Sequence, residues 1–162
     1  MKKAAIKAIS PRSTRVEIAN IVLPSHTNHM GTMFGGVLMQ WIDIAAGIAA
    51  TRHARGLAVT ASMDRLHFLR PIRVEEIVVV KAEVTFTGRT SMEVSAEAWA
   101  ENPWTGKRQL ATRAFLTFVS VDETGKPRVV LPLRPVTAAE KQRHKEAKQR
   151  RAARLREVDN PL

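Results

Sequence analysis

Apolar and polar positions along the chain predict five strands and one buried helix. From Thr14 to Leu23 the β-branched residues Thr14, Val16, Ile18, Ile21 and Val22 predict a strand, which Pro24 stops. Four more strands are predicted beyond residue 56: Leu57 to Leu69, ended by Pro71; Glu76 to Phe86, with its run of Ile77, Val78, Val79 and Val80; Thr90 to Ala100; and Arg108 to Val121. The third of these alternates, with Met92, Val94, Ala96, Ala98 and Ala100 on one face and Glu93, Ser95, Glu97 and Glu101 on the other. Gly88-Arg89, the stretch from Asn102 to Gly106 and Asp122-Glu123-Thr124-Gly125 are turn sequences of the kind that join antiparallel neighbours. The predicted order is one strand, one helix, then four strands in a meander.

Gly36 to about Ala54 is free of proline and rich in Ala, Leu and Met, which predicts a helix, with Gly56 as its left-handed exit. Val37, Leu38, Trp41, Ile42, Ile44, Ala45, Ile48 and Ala49 cover nearly its whole circumference. A helix apolar all round is buried all round. Four or five strands of one chain cover only part of it, so the remainder calls for a second copy. Gly36, Ala45, Ala46, Gly47, Ala49 and Ala50 let a sheet approach its axis closely. A curved antiparallel sheet wrapped around one long central helix and paired in a dimer is the α+β architecture called a hotdog fold.

The 162 residues fit one domain, here 12–131, with an appended segment, 132–162, made of a linker and a basic C-terminal helix. Pro132 and Pro135 mark the linker, and Thr137 followed by Glu140 reads as a capping box. That helix has almost no apolar stripe, so it is expected to be solvated or only loosely docked. Eight basic and four acidic residues between Thr137 and Leu162 leave +7 of the +11 net charge to the rest of the chain. Such a balance points to a polyanionic partner or ligand. No aromatic residue is interleaved in the tail for base stacking, so a nucleic-acid partner is the lesser reading. The absence of cysteine excludes disulfides, thiol catalysis and thiolate metal sites. No apolar run approaches the ~20 residues that cross a bilayer, and the stretch with Lys2, Lys3 and Lys7 lacks a leader-like apolar core. A soluble cytoplasmic protein is expected.

One polar stripe crosses the predicted helix. Gly36, Gln40, Asp43 and Gly47 recur at spacings of four, three and four, which places them on one face. Asp is a poor residue for a helix interior, and its helical neighbours Met39, Gln40, Ala46 and Gly47 offer no cation. Burying the carboxylate without partners costs several kcal/mol. Gly47 leaves open volume one turn on, at a helix cost of about 1 kcal/mol. Asp43 is thus a reacting group with room for substrate, or a carboxylate satisfied by a cap or by an arginine such as Arg65 or Arg70. Both readings stay open at this stage. The preceding loop, Asn28 to Gly36, delivers free backbone N–H groups at the positive end of the helix, which suits a forming oxyanion or a phosphate.

Asn28-x-x-Gly31-x-x-Phe34-Gly35-Gly36, with Asp43 seven residues on, resembles the signature of the acyl-CoA thioesterases of the hotdog superfamily, the YciA-like bacterial hydrolases and the brain-type cytosolic acyl-CoA hydrolases. The resemblance continues through Arg52-His53, Thr60, Phe68-Leu69-Arg70-Pro71-Ile72, the stretch Gly88 to Met92 and the stretch Phe115 to Val119, and spans roughly Arg12 to Leu131. It implies cleavage of acyl-CoA to free acid and CoA. Asp43 would then be the general base or nucleophile. Asn28 of the other subunit would orient water or polarise the thioester carbonyl, and the N–H groups near Gly35 and Gly36 would hold the oxyanion. Arg89, Thr90 and Ser91 become substrate-binding candidates along CoA, and homodimers are expected to assemble as a hexamer, a trimer of dimers. No metal and no organic cofactor is implied. A thioester has a good leaving group, so one positioned carboxylate and oxyanion donors suffice without a Ser–His–Asp triad.

Other residues carry weaker signals. His26 and His29 sit three apart in a loop with no carboxylate nearby and read as ordinary loop histidines rather than metal ligands. His53 and His67 read as element-end and strand residues, and Trp41 as core. Met30, Met33 and Met39 are candidates for an acyl tunnel as well as for the core. Two competing readings are a nucleic-acid-binding basic protein and a non-hydrolytic hotdog protein, either a dehydratase or an acyl-CoA-binding module.

Overall fold

Every predicted strand forms, though not in the predicted order. The structure, a computed structural model, describes residues 8–64 and 66–159, the last three of these by backbone alone. Lys2, Lys3, Lys7 and Arg65 lie outside the described residues. The elements are β1 (Val16–Ile21), α1 (Gly35–Ala54), β2 (Ala58–Met63), β3 (Ile77–Thr87), β4 (Ser91–Glu101), β5 (Arg108–Ser120) and α2 (Ala138–Asp159), with short 3-10 turns at Pro11–Thr14 and Pro24–His26. All pairings in the sheet are antiparallel, in the order β1-β3-β4-β5-β2.

Only β3, β4 and β5 therefore form a meander. The predicted fourth member, β2, crosses to the far edge and pairs with β5, Thr60 opposite Phe118 and Met63 opposite Leu116. Residues 64–76 are too long a connection for a hairpin, and Pro71 has no N–H for a ladder. The predicted strand to Leu69 accordingly stops at Met63. Beyond it the chain follows β5 irregularly: Leu69 N–H donates to Ala111 O (2.8 Å), and Thr112 Oγ1 substitutes for a ladder bond by donating to His67 O (2.7 Å).

The core lies between α1 and the inner face of the sheet, which touches the helix with all five strands. Ala45, Ala46, Ala49 and Ala50 of α1 are fully buried against a face rich in alanine: Ala82, Ala96, Ala98, Ala100, Ala111 and Ala114. Small side chains on both surfaces bring the helix axis close to the strands. An extra methylene there would overpack the contact at about 1–3 kcal/mol. The helix ends at Ala54 as expected, but Arg55, at φ 52°, takes the left-handed exit in place of Gly56. Gly56 serves a different purpose. A side chain on it would collide with the Arg128 guanidinium, which passes there to donate to Ala54 O, a cation on the negative end of the helix.

The C-terminal helix is neither solvated nor loosely docked. It lies on the outer face of the sheet, where Glu83, Thr85 and Glu93 point away from α1. Arg143 Nη2 reaches Glu83 (3.0 Å), Arg150 Nη2 reaches Glu93 (2.8 Å), and Arg154 bridges Glu93 (2.7 Å) and Asp64 (2.6 Å). His144 Nδ1 donates to Thr85 O (3.0 Å), and Ala147 is completely buried. Burial by itself would lower the Arg154 pKa, but the bonds and charges of Glu93 and Asp64 outweigh it and leave it raised. A helix poor in apolar residues docks because carboxylates wait beneath it. Removing one member of such a buried set strands the others, which is why these pairs hold position more than they add stability. The capping box forms as predicted: Glu140 N–H donates to Thr137 Oγ1 (3.2 Å), while Val136 and Thr137 N–H donate to Glu140 Oε2 (2.8 and 3.1 Å) and hold that carboxyl below its usual pKa.

His53 ties the two ends of the fold together, its buried Nε2 donating to Leu131 O (2.9 Å) while Nδ1 has no partner. Burial lowers its pKa; the Leu131 bond opposes the shift and the Arg55 charge adds to it. The unfolded chain therefore binds the proton more readily than the folded one, and stability falls as pH drops below 6.5, the ordinary value. Melting temperatures above and below pH 6.5 should show a steeper acid loss for the native chain than for His53→Gln. Parallel losses would contradict this origin.

Candidate active site

Helical geometry places Asp43 on a flank of α1 that the sheet leaves uncovered. On that flank Met39, Ile44 and Ile48 are exposed although apolar, and Gly36 and Gln40 are exposed beside them. Asp43 is half-buried, and its Oδ1 accepts a hydrogen bond from Thr60 Oγ1 on β2 (2.8 Å). No ion pair among the described residues involves it; Arg70, one of the two arginines considered, is held instead by Glu76 (2.8 Å). A hydroxyl holds the carboxylate in one orientation without neutralising it. Thr60 is the partner of Asp43 that the periodicity of the helix does not reveal. It belonged to the family pattern, but seventeen residues and a chain reversal separate it from its partner.

Beyond Asp43, a methyl group on Gly47 would sit 3.7 Å from Phe118 Cε1, an ordinary contact. Packing within the chain therefore does not require glycine there, and a methyl group would fit one turn on from the carboxylate. At the helix start, the N–H groups of Gly35 and Gly36 donate to no protein acceptor among the described residues. The chain's own rings crowd the side-chain positions of these glycines: a methyl on Gly35 would come 3.0 Å from Phe68 Cζ and one on Gly36 2.7 Å from Phe34 Cε1. Both rings are more than half exposed.

Asn28 organises the loop that feeds the helix. Its Oδ1 accepts from Met30 N–H (2.9 Å) and Thr32 N–H (3.3 Å), and its Nδ2 donates to Thr32 Oγ1 (3.0 Å). Gly31, at φ 70°, supplies the left-handed residue this tight loop needs. One Nδ2 hydrogen is left for a ligand. No hydrogen bond joins Asn28 to Asp43 among the described residues of one chain. Arg89 is exposed at the β3–β4 turn, which is closed by Gly88 N–H to Ser91 O (2.8 Å) and anchored by Val130 N–H to Arg89 O (3.0 Å).

Residues set aside in the sequence find structural employment. His26 Nδ1 accepts from Leu23 N–H (3.1 Å), and its ring stands edge-on to Trp41 at 5.1 Å. Trp41 is consequently half-buried at the loop rather than in the core. Of the three methionines proposed for a tunnel, only Met33 is buried, and it borders a cavity of about 300 Å³ with Leu38, Phe68 and Ile72; Met30 and Met39 are exposed.

An antiparallel sheet curled around a helix, with a carboxylate on the helix flank and free N–H groups at its start, defines a hotdog-fold protein. Known proteins agree. The model of the thioesterase superfamily matches residues 30–106. The uncharacterized acyl-CoA thioester hydrolase YkhA of Bacillus subtilis is 43% identical over 139 residues, 86% of this chain and 81% of that one. An acyl-CoA hydrolase from Staphylococcus aureus, solved with butyryl-CoA, CoA and CoA disulfide, superposes with a TM-score of 0.86 at 38% identity, covering 94% of this chain and 95% of that one. An apo hexameric acyl-CoA thioesterase superposes at 0.91 with 39% identity, over 94% and 98%. The staphylococcal enzyme also matches in forms with an aspartate, an asparagine or a threonine replaced by alanine. The chain belongs to the acyl-CoA thioester hydrolases of the thioesterase superfamily.

Because a methyl at Gly47 would make only an ordinary contact with Phe118, Gly47→Ala should raise stability in urea unfolding by up to about 1 kcal/mol through helix propensity. A loss of stability would show that some other group occupies that space.

Proposed function

We propose that this protein hydrolyses acyl-CoA thioesters to free acid and CoA, with Asp43 as general base or nucleophile. The observation that carries the reading is a carboxylate held by a neutral hydroxyl, 2.8 Å away, on a helix flank that the sheet leaves uncovered. As a base, Asp43 takes a proton from water; the hydroxide adds to the thioester carbon; the tetrahedral oxyanion is held by Gly35 and Gly36 N–H. Collapse breaks the C–S bond, and the departing thiolate takes up the proton from Asp43. As a nucleophile, Asp43 forms a mixed anhydride with the acyl group as the C–S bond breaks and the CoA thiolate leaves; water then hydrolyses the anhydride, freeing the acid and the Asp43 carboxylate, and its proton goes to the thiolate. The replacement of an aspartate, an asparagine and a threonine in the staphylococcal enzyme supports reading Asp43, Asn28 and Thr60 as one set.

The same proposal assigns Asn28 to the site of a second copy of the chain. Exposed Met39, Ile44 and Ile48 favour a partner over water on that flank, and the hexameric relative supports a trimer of such dimers. Arg89, Thr90 and Ser91 bind CoA. Residues 12–131 form the thioesterase domain and 132–162 the appended segment. No described helix is long and apolar enough to cross a membrane. A cytoplasmic location fits a chain without cysteine, which needs no oxidising compartment. A nucleic-acid partner loses support, since Arg143, Arg150 and Arg154 of α2 are engaged by the sheet.

Asp43→Ala should abolish hydrolysis of an acyl-CoA panel in a free-thiol assay, a loss of about 10²-fold or more, with melting temperature and oligomer unchanged. Thr60→Val should lower kcat with little change in KM. Turnover surviving in Asp43→Ala would overturn the assignment.

A further inference from the structure

The docked α2 helix roofs a cavity of about 520 Å³ on the outer face of the sheet, next to the β3–β4 turn. Four polar groups around it are unused. Thr117 Oγ1 is buried without a hydrogen-bond partner. The hydroxyls of Ser62 and Ser91 make none of the side-chain bonds found among the described residues. Arg151, half-buried, has no carboxylate partner among them, although Arg143, Arg150 and Arg154 on the same helix each have one. A buried hydroxyl without a partner and a partly desolvated cation without an anion both carry a cost that a bound group would remove.

The Arg151 guanidinium lies beside the β3–β4 turn. Its carbon lies 5.7 Å from the centre of the Phe86 ring, and its Nη2 is 3.5 Å from where a methyl on Gly88 would sit. That same methyl would come 2.9 Å from Ser91 Oγ, so the missing side chain at Gly88 keeps the guanidinium and the serine hydroxyl facing one opening. Glu93 and Asp64 also border the cavity, but Arg150 and Arg154 are already paired with them. Of the two arginines that line the cavity, Arg154 is paired with both carboxylates and Arg151 with neither.

We infer that Arg151, supplied by the C-terminal helix, binds a phosphate group of the acyl-CoA substrate, with Ser91 as hydroxyl donor. The inference rests on the proposed thioesterase reading and deepens it. It makes the appended helix a source of specificity for thioesters that carry a nucleotide. A planar guanidinium bonds a phosphate in pairs of N–H donors, a geometry lysine cannot reproduce.

The test uses the full chain, Arg151→Gln, Arg151→Lys and, as control, exposed Lys148→Gln. Each is assayed on one acyl-CoA and on the N-acetylcysteamine thioester of the same acid, which has no phosphate. Arg151→Gln should raise KM for acyl-CoA about ten- to hundredfold, leave kcat unchanged, and leave kcat/KM on the truncated thioester at the native value. Arg151→Lys should fall between, and Lys148→Gln should match the native chain. Calorimetric binding of CoA should weaken in parallel, a readout independent of turnover. If 3′-dephospho-CoA binding is insensitive to Arg151→Gln the 3′-phosphate is the group bound, and if it weakens equally the diphosphate is. An unchanged KM and CoA affinity in Arg151→Gln, or equal losses on both thioesters, would overturn the inference. Failure of the native chain to hydrolyse either thioester would overturn the proposed function alone, leaving CoA binding to decide on Arg151.

Discussion

A carboxylate in the middle of an apolar helix is the constraint around which this fold is arranged. Such a group must be neutralised, or be left on a surface where its charge is used. Here Thr60 fixes Asp43 in direction without cancelling its charge, and the sheet stops short of covering it. The alanine faces of α1 and the inner sheet draw the other sides of the helix into the core, so the flank that remains is the one carrying Asp43, Gly47 and the exposed Met39, Ile44 and Ile48. Burial and function therefore share a helix by dividing its circumference.

The outer face of the sheet poses the opposite problem and solves it with charge. Glu93 is almost completely buried, which an isolated carboxylate would not tolerate, and Arg150, Arg154 and Thr85 surround it. The helix that supplies those arginines is thereby fixed relative to the β3–β4 turn. Three arginines of α2 are committed to this docking, while Arg89 at the turn and Arg151 in the adjoining cavity are among the cations that have no acid partner among the described residues.

How far these features can be read from sequence depends on how local their causes are. The alternation of β4 is legible because one face is apolar, and the Thr137–Glu140 capping box because both partners lie within one turn. Asp43 is legible because a charge breaks an apolar helix. The path of β2 is not, since pairing with β5 rather than β3 is decided by a contact far along the chain. The docking of α2 is hidden for a similar reason: its acids sit at residues 64, 83 and 93. A signal was nevertheless present, for Arg143, Ala147, Arg150 and Arg154 repeat at four, three and four, a stripe of charge where only apolar stripes were sought. Thr60 could be found only as part of a family pattern, because no local periodicity links a strand hydroxyl to a helix carboxylate.

The central claim is that Asp43 of one chain and Asn28 of another act on the same thioester. Mixing Asn28→Ala and Asp43→Ala chains, dissociating them and reassembling them tests this most directly, since a two-fold dimer of the two variants contains one intact pair and one doubly defective pair. Random reassembly in equal amounts should restore about a quarter of native hydrolysis from two nearly inactive parents. A mixture no more active than the mean of its parents would contradict the account.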